Sequence, residues 1–300
     1  MRFEYTFQKA ETQQVKYFLK EQGISRGLLA KIKFQGGAIL VNQRVENVLY
    51  FLQEGDIVTI VTPDEKEHET LLVDNAPIEV VFEDDHLLIV NKPANVPSIP
   101  AQYHPNQTMA NRVKGYYKRK NYPNQVVHIV TRLDRDTTGL MVFAKHGFAH
   151  AKLDVQLRDK SFTKKYQALV FDEANALENH AEIIAPIGRN DASLIQRQVV
   201  TDGRYAKTEY WLEKKYQQIA LVDIQLHTGR THQIRVHFAS IGCPLLGDDL
   251  YGGRLDLGIM RQALHCYELH FTHPFSGEAL SFVQPLPEDM ARVIQATFDR

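Results

Sequence analysis

Apolar residues recur along this chain at two spacings, and each predicts a different element. From Gln14 to Gln22, Val15, Phe18 and Leu19 stand at i, i+3 and i+4, the spacing of one buried helical stripe. Gly23 stops that helix, and Ser25 can cap a second one carrying Leu28, Leu29 and Ile32. Gly36-Gly37 then leads into a short strand, Ala38-Ile39-Leu40-Val41-Asn42. The turn Leu52-Gln53-Glu54-Gly55-Asp56 leads into another, Ile57-Val58-Thr59-Ile60-Val61. The pattern predicts a compact α+β module over residues 1–62.

The run Pro63-Asp64-Glu65-Lys66-Glu67-His68-Glu69 carries charge without apolar periodicity and reads as a linker extending to residue 74. Beyond it, short strands rich in branched residues take over. Ile78–Phe82 and His86–Asn91 flank the acidic turn Glu83-Asp84-Asp85 like a hairpin, and Leu140–Ala144, Tyr166–Val170 and Ile219–Ile224 are further strands. Helices are predicted around Thr108–Tyr117 and His146–Asp159. Residues 75–300 therefore read as a second α+β domain, with a large mixed, mainly antiparallel sheet flanked by helices.

Composition narrows the class. The chain has 300 residues, 44% hydrophobic and 24% charged, which excludes disorder, collagen and coiled coil. No run approaches the ~20 apolar residues of a membrane helix, and the first residues have no apolar core of a signal peptide. A cytoplasmic protein without a membrane partner is expected, as a monomer by default. Cys243 and Cys266 form no C-x-x-C pair and read as two reduced thiols.

Net charge is −1, but its distribution is uneven. From His86 to Leu133 there are seven Lys and Arg and no Asp or Glu. Segregated positive charge is the footprint of polyanion binding. Within it, Arg112, Lys114, Lys118, Arg119 and Lys120 interleave with Tyr116, Tyr117 and Tyr122. They are candidates for phosphate contact, the plain alternative being a solvated helix face.

Two stretches carry candidate chemistry. Thr131-Arg132-Leu133-Asp134-Arg135-Asp136-Thr137-Thr138-Gly139 is a polar loop entering an apolar strand. Asp134 lies between Arg132 and Arg135, which favours the ionised form and suits a carboxylate nucleophile or base. The same residues also make a good turn. The second stretch is Leu226-His227-Thr228-Gly229-Arg230-Thr231-His232-Gln233-Ile234-Arg235-Val236-His237, in which Thr231 can cap a helix bearing Ile234, Phe238 and Ile241. Histidines 227, 232 and 237 lack metal-ligand spacing, so capping, packing or phosphate contact is expected of them, and no metal. Gly247-Asp248-Asp249-Leu250-Tyr251-Gly252-Gly253 reads as a turn.

Five groups of residues, in order, resemble the pseudouridine synthases of the RluA family. Val90-Asn91-Lys92-Pro93-Ala94 is similar to the family's first motif, and Arg132–Leu140 to its catalytic signature, H-R-L-D-x-x-T-S-G-L. Lys164-Lys165-Tyr166-Gln167-Ala168 resembles K-x-Y-x-A. Thr228–His237 with Gly247-Asp248 and Tyr251 resembles T-G-R-T-H-Q-I-R-V-H followed by G-D-x-x-Y. Leu264-His265-Cys266 and His273-Pro274 resemble the closing L-H-A and H-P. The N-terminal module resembles the S-four-type RNA-binding domain, though only Arg26, Lys31 and Lys33 remain of the basic residues usual on its second helix. Two departures stand out. Thr131 replaces the usual His, and Asn95 the usual Gly, for which Asn is the least costly substitute if the backbone needs positive φ.

The resemblance implies isomerisation of uridine to pseudouridine in structured RNA, rRNA in the first place and tRNA as the other class. It implies Asp134 as the catalytic carboxylate, Tyr166 packed on the target base, Arg235 paired with the aspartate, and Arg132 entering the stack the base leaves. The reaction involves neither redox change nor net hydrolysis, so no cofactor is implied. Two competitors are a noncatalytic RNA-binding protein on the same scaffold and a metal nuclease. The first predicts RNA affinity that survives Asp134→Ala; the second needs an acidic cluster that the sequence does not offer.

Overall fold

The computed structural model describes residues 1–65, 67, 70–101, 104–193 and 195–298. The N-terminal part is a four-stranded antiparallel sheet in the order Arg2–Thr6, Ile57–Val61, Ala38–Val41, Arg44–Val45. Helices α1 (Val15–Glu21) and α2 (Arg26–Phe34) contribute Val15, Phe18, Leu19 and Ile32 to its core. Ser25 caps α2 as expected, its Oγ accepting the Leu28 N–H at 3.1 Å. The edge strand Arg2–Thr6 is absent from the periodicity reading: at the chain start it shows only two inward side chains, Phe3 and Tyr5.

The rest of the chain is built on a ten-stranded sheet, with Ile187–Arg189 and Arg197–Val199 pairing as a separate two-stranded ribbon. Its main path runs His180–Ile184, Lys207–Tyr216, Ile219–Leu226, Thr163–Phe171, Leu264–Thr272, Thr138–Ala144, Leu87–Lys92, Glu79–Glu83. Two short strands sit off that path: Ala279–Val283 pairs with Leu264–Thr272, and His128–Ile129 with Thr138–Ala144. Every pairing is antiparallel except that of Thr138–Ala144 with Leu264–Thr272, so the sheet is mixed and mainly antiparallel. Helices cover both faces. On one, α4 (Gly147–Asp159) and α5 (Gln233–Ser240) pack Ala149, Leu153, Ile234 and Phe238 onto Leu140, Val142, Ala168 and Val222. On the other, α3 (Met109–Arg119) covers Leu88, Val90, Met141 and Phe143, while α6 (Glu288–Phe298) covers Leu169 and Leu221. Thr138–Ala144, sandwiched between helices, is buried throughout, which is why it reads as an unbroken apolar run.

The acid-poor segment differs from the phosphate-binding expectation. Arg112 lies 3.5 Å from Asp74, Lys114 is 3.2 Å from Glu67 and donates to the Leu71 carbonyl, and Arg119 donates to Asn75. Lys118 lies 3.8 Å from Glu67. Tyr116 and Tyr122 both donate to Glu83, and Tyr117 is fully buried. Gly115 lets the chain lie close: a Cβ there would sit 2.0 Å from the Asp74 carbonyl oxygen. These cations hold the connecting segment against α3, because its acids are the nearest anions. Of the linker run, Lys66, His68 and Glu69 lie outside the described residues. Glu65 is tied down as well, accepting from the Gly147 N–H at 2.7 Å and meeting the His128 imidazole at 2.5 Å.

The two sheets are also joined directly. Phe3 stacks on Phe275 at 5.1 Å and meets Phe148 edge-on, and Phe148 belongs to the N-terminal core. His86 and His146 share a hydrogen bond of 3.0 Å beside them, and His146 Nδ1 accepts the Ala149 N–H at the start of α4. Burial holds His146 down at about 3 and lowers His86 too. Unfolding lets His146 take up a proton near its ordinary 6.5. The neutral cluster therefore stabilises fully above that pH and progressively less as pH falls from 6.5 towards about 3. The melting temperature is expected to drop through this window, and to drop less in His146→Asn, which keeps a capping acceptor but does not titrate. Equal slopes for both proteins would refute the assignment.

Candidate active site

The loop Thr131–Thr137 enters the buried strand Thr138–Ala144, and several anchors fix it. Thr131, where the resemblance expects His, accepts the Val142 N–H through Oγ1 at 2.9 Å. Ser98 Oγ donates to the Leu133 carbonyl at 2.6 Å and accepts its N–H at 3.0 Å. Lys92 is wholly buried, and its Nζ donates to the carbonyls of Pro93, Val96 and Arg135 at 2.8, 2.7 and 2.7 Å. Burial draws its pKa down to about 7, with Asp136 and Asp134 pulling the other way. Three carbonyls match the three donors of an ammonium and favour the charged form. Asn95 adopts φ 59°, the left-handed region anticipated for it, and its N–H reaches Asp136 at 3.2 Å. Gly139 is required by contact: with φ +111°, a Cβ would lie 2.2 Å from the Cys266 carbonyl where the two parallel strands meet.

Held this way, Asp134 is half-buried and faces Arg235, with 3.5 Å between Oδ2 and Nη1. Tyr166 lies on Thr163–Phe171 opposite Cys266, at a bulge, and only 4% of it is exposed. Burial raises its phenol well above the ordinary value, with Cys266 and Asp134 adding to the effect, so it stays neutral. Arg132 is exposed. The expected flanking of Asp134 by its sequence neighbours is not what the fold uses: Arg135 turns away to Asp136 at 2.9 Å, and the cation facing Asp134 comes from α5, a hundred residues on.

Arg235 has a stronger partner than Asp134. Its guanidinium forks onto Asp248, Nε and Nη2 each 2.7 Å from a carboxylate oxygen, and Asp248 has no exposure. Burial works against the charge on Arg235, but Asp248 and then Asp134 more than offset it and raise its pKa. Tyr251 lies under the guanidinium at 4.9 Å. The segment 247–253, read from sequence as a turn, thus supplies the buried anion of the site. The findable signal was the question of which acid could neutralise an arginine on the inward face of a helix.

The three histidines divide. His237 is packing: Nδ1 meets Thr208 Oγ1 and Nε2 the Ala185 carbonyl, both at 2.9 Å. His227 pairs with Glu209 at 2.7 Å. His232 is at the site, 4.0 Å from Asp134 Oδ2 through Nε2. It also corrects the expected cap: α5 starts after His232, not Thr231, in the left-handed conformation at φ 58° and with no side-chain cap bond. A non-glycine residue there costs of order 1 kcal/mol and tends to mark functional sites. Both cysteines are buried and free, and burial pushes each thiol up to about 12.

Asp134 on a clamped loop, a buried neutral phenol and a guanidinium fixed by its own counter-ion come together, and such a carboxylate can serve as nucleophile or base. The chain belongs to the family described as RNA pseudouridylate synthase, which matches residues 86–240. It is 42% identical over 282 residues to the uncharacterized RNA pseudouridine synthase YjbO of Bacillus subtilis, covering 94% of this chain and 98% of that one. It is 36% identical to the ribosomal large subunit pseudouridine synthase D of Nitrosomonas europaea, covering 81% and 72%. Among solved structures, human RNA pseudouridylate synthase domain containing 4 superposes with a TM-score of 0.60 at 23% identity, covering 72% of this chain and 92% of that one, a likeness of fold. The protein is thus an RNA pseudouridine synthase.

Removing one member of a buried ion pair strands the other. Asp248→Ala is expected to cost ~3 kcal/mol or more and to lower the melting temperature by several degrees. An unchanged melting curve would overturn the weight given to this pair.

Proposed function

We propose that this protein converts specific uridines of structured RNA to pseudouridine, with large-subunit rRNA as its first substrate class, and that Asp134 is the reacting carboxylate. The observation that carries the second part is the placement of Asp134 on a loop anchored by Lys92 and Ser98, facing Arg235. The rRNA reading is supported by relatives named ribosomal large subunit pseudouridine synthase D, 36–40% identical in Nitrosomonas europaea, Zymomonas mobilis and Pseudomonas aeruginosa.

In the reaction the bond from ribose C1′ to uracil N1 breaks, the uracil turns, C5 joins C1′, the C5 proton leaves to water and N1 takes one up. Asp134 acts by adding to the sugar or the uracil, or by abstracting a sugar proton. Tyr166 packs against the ring while it turns, and its neutral hydroxyl adds no charge to the pocket. The base leaves its stack to reach Asp134, at a cost of a few kcal/mol that is smallest in loops. Arg132, which is exposed, enters the gap that the base leaves. Arg235, held by Asp248, keeps a positive charge beside Asp134 without collapsing onto it.

The chain divides for this work into an S-four-type module over 1–62, a connector over 63–74 and a catalytic domain over 75–300. Arg26, Lys31 and Lys33 are exposed on α2, and Phe34 beside them is 76% exposed, which supports RNA contact by the module. The protein acts as a cytoplasmic monomer. No described helix is long and apolar enough to cross a membrane.

The test uses rRNA and tRNA transcripts tritiated at uracil C5, incubated with wild type and with Asp134→Asn. Wild type is expected to release tritium to water, and Asp134→Asn to release at least about a thousandfold less. Release by both would refute the role of Asp134. Release from tRNA alone would move the substrate class away from rRNA.

A further inference from the structure

The two oxygens of Asp134 are not equivalent. Oδ2 faces Arg235 Nη1 at 3.5 Å and His232 Nε2 at 4.0 Å. No hydrogen bond to Oδ1 is found among the described residues, and the closest approach of both groups is to Oδ2. The family reading accounts for Arg235 but leaves His232 without a task.

Three features fix that imidazole. Its backbone is in the left-handed conformation, φ 58° and ψ 20°, at the start of α5, which turns the side chain back over the catalytic loop. Its ring meets Tyr251 edge-on, with centroids 5.8 Å apart at 83°. Its Nδ1 is 2.9 Å from the Tyr251 hydroxyl. That hydroxyl already accepts the Arg197 backbone N–H at 2.9 Å, which leaves its own proton to donate to Nδ1. An imidazole that accepts at Nδ1 and is neutral carries its proton on Nε2, the nitrogen aimed at Asp134.

We infer that His232 is a positioning residue for Asp134. Its Nε2–H, with the tautomer set by Tyr251, joins Arg235 in holding Oδ2 and so leaves Oδ1 to react. The inference rests on Asp134 being the reacting carboxylate. A separation of 4.0 Å is longer than a hydrogen bond, and bonds of this kind are commonly long without substrate and tighten in the complex. The left-handed backbone is what a histidine kept for its ring would tolerate, since capping alone is served by smaller residues.

Three substitutions separate this role from a structural one. His232→Asn accepts the same backbone conformation but is too short to reach Asp134. His232→Gln places an amide N–H near the position of Nε2. Tyr251→Phe leaves the imidazole and releases its tautomer. Steady-state kinetics on a tritiated transcript that wild type modifies should show kcat for His232→Asn reduced roughly 10–100-fold with KM for RNA within about twofold. His232→Gln should recover most of that loss, and Tyr251→Phe should lose several-fold in kcat. Wild-type kcat in His232→Asn, a loss confined to KM, or His232→Gln no better than His232→Asn would overturn the inference. Should His232→Asn fail to fold, Tyr251→Phe decides, and an unchanged kcat there overturns it. Asp134→Asn in the same series keeps the two readings apart: an active Asp134→Asn refutes the proposed function, whereas an inactive one beside a normal His232→Asn refutes only the role of His232.

Discussion

The site depends on a lysine that never meets solvent. Lys92 Nζ ties the carbonyls of Pro93 and Val96, in the loop after one strand, to that of Arg135, in the loop before the neighbouring strand. Burying an ammonium is costly unless every donor is used, and here each N–H has its own carbonyl. The result is a stiff joint between two loops, which Ser98 and Asn95 tie together further along. Asp134 is one residue from the tethered Arg135, so its carboxylate inherits that stiffness. A functional group on a loop needs such support if it is to stay within a fraction of an ångström of its target.

Charge is arranged in layers around that joint. Asp248 is fully buried and takes both arms of Arg235, which leaves one nitrogen, Nη1, for Asp134. A guanidinium with no anchor of its own would close into a direct pair with Asp134. With Asp248 taking most of its hydrogen bonding, Arg235 supplies field without blocking the carboxylate. Tyr251 links the layers, lying under Arg235 with its ring and bonding His232 with its hydroxyl.

The N-terminal module is joined to the catalytic domain at two places. Phe3 enters an aromatic group with Phe148 and Phe275, and the connector is strapped to α3 through Glu67, Asp74 and Asn75. The basic residues that look from sequence like a phosphate-binding stripe are largely consumed in this strap. Exposed cations remain elsewhere: Arg132 on the loop that carries Asp134, and Arg26, Lys31 and Lys33 on α2 of the N-terminal module.

Local pattern by itself determined α1 to α5 and seven of the strands, while strands such as Lys207–Tyr216 and Leu264–Thr272, and helix α6, went unread. The stripe of Val15, Phe18 and Leu19, the cap at Ser25, the hairpin about Glu83-Asp84-Asp85 and the apolar run into Ala144 all depend on neighbours a few residues away, and all are found in place. The order of motifs likewise pointed to the family and to Asp134, Tyr166 and Arg235 as one group, because motif spacing survives in the linear chain. The partners of the charged residues were decided only in three dimensions. Nothing near Asp134 in sequence says that Arg135 turns to Asp136 while Arg235 comes to face it, or that a fully buried Asp248 takes two of the Arg235 nitrogens. Nor does α3 announce that Arg112, Lys114 and Arg119 meet the segment that connects the two domains. A charge is neutralised by whatever opposite charge the packed core leaves within a few ångströms, and that is set by strand order and helix placement far along the chain.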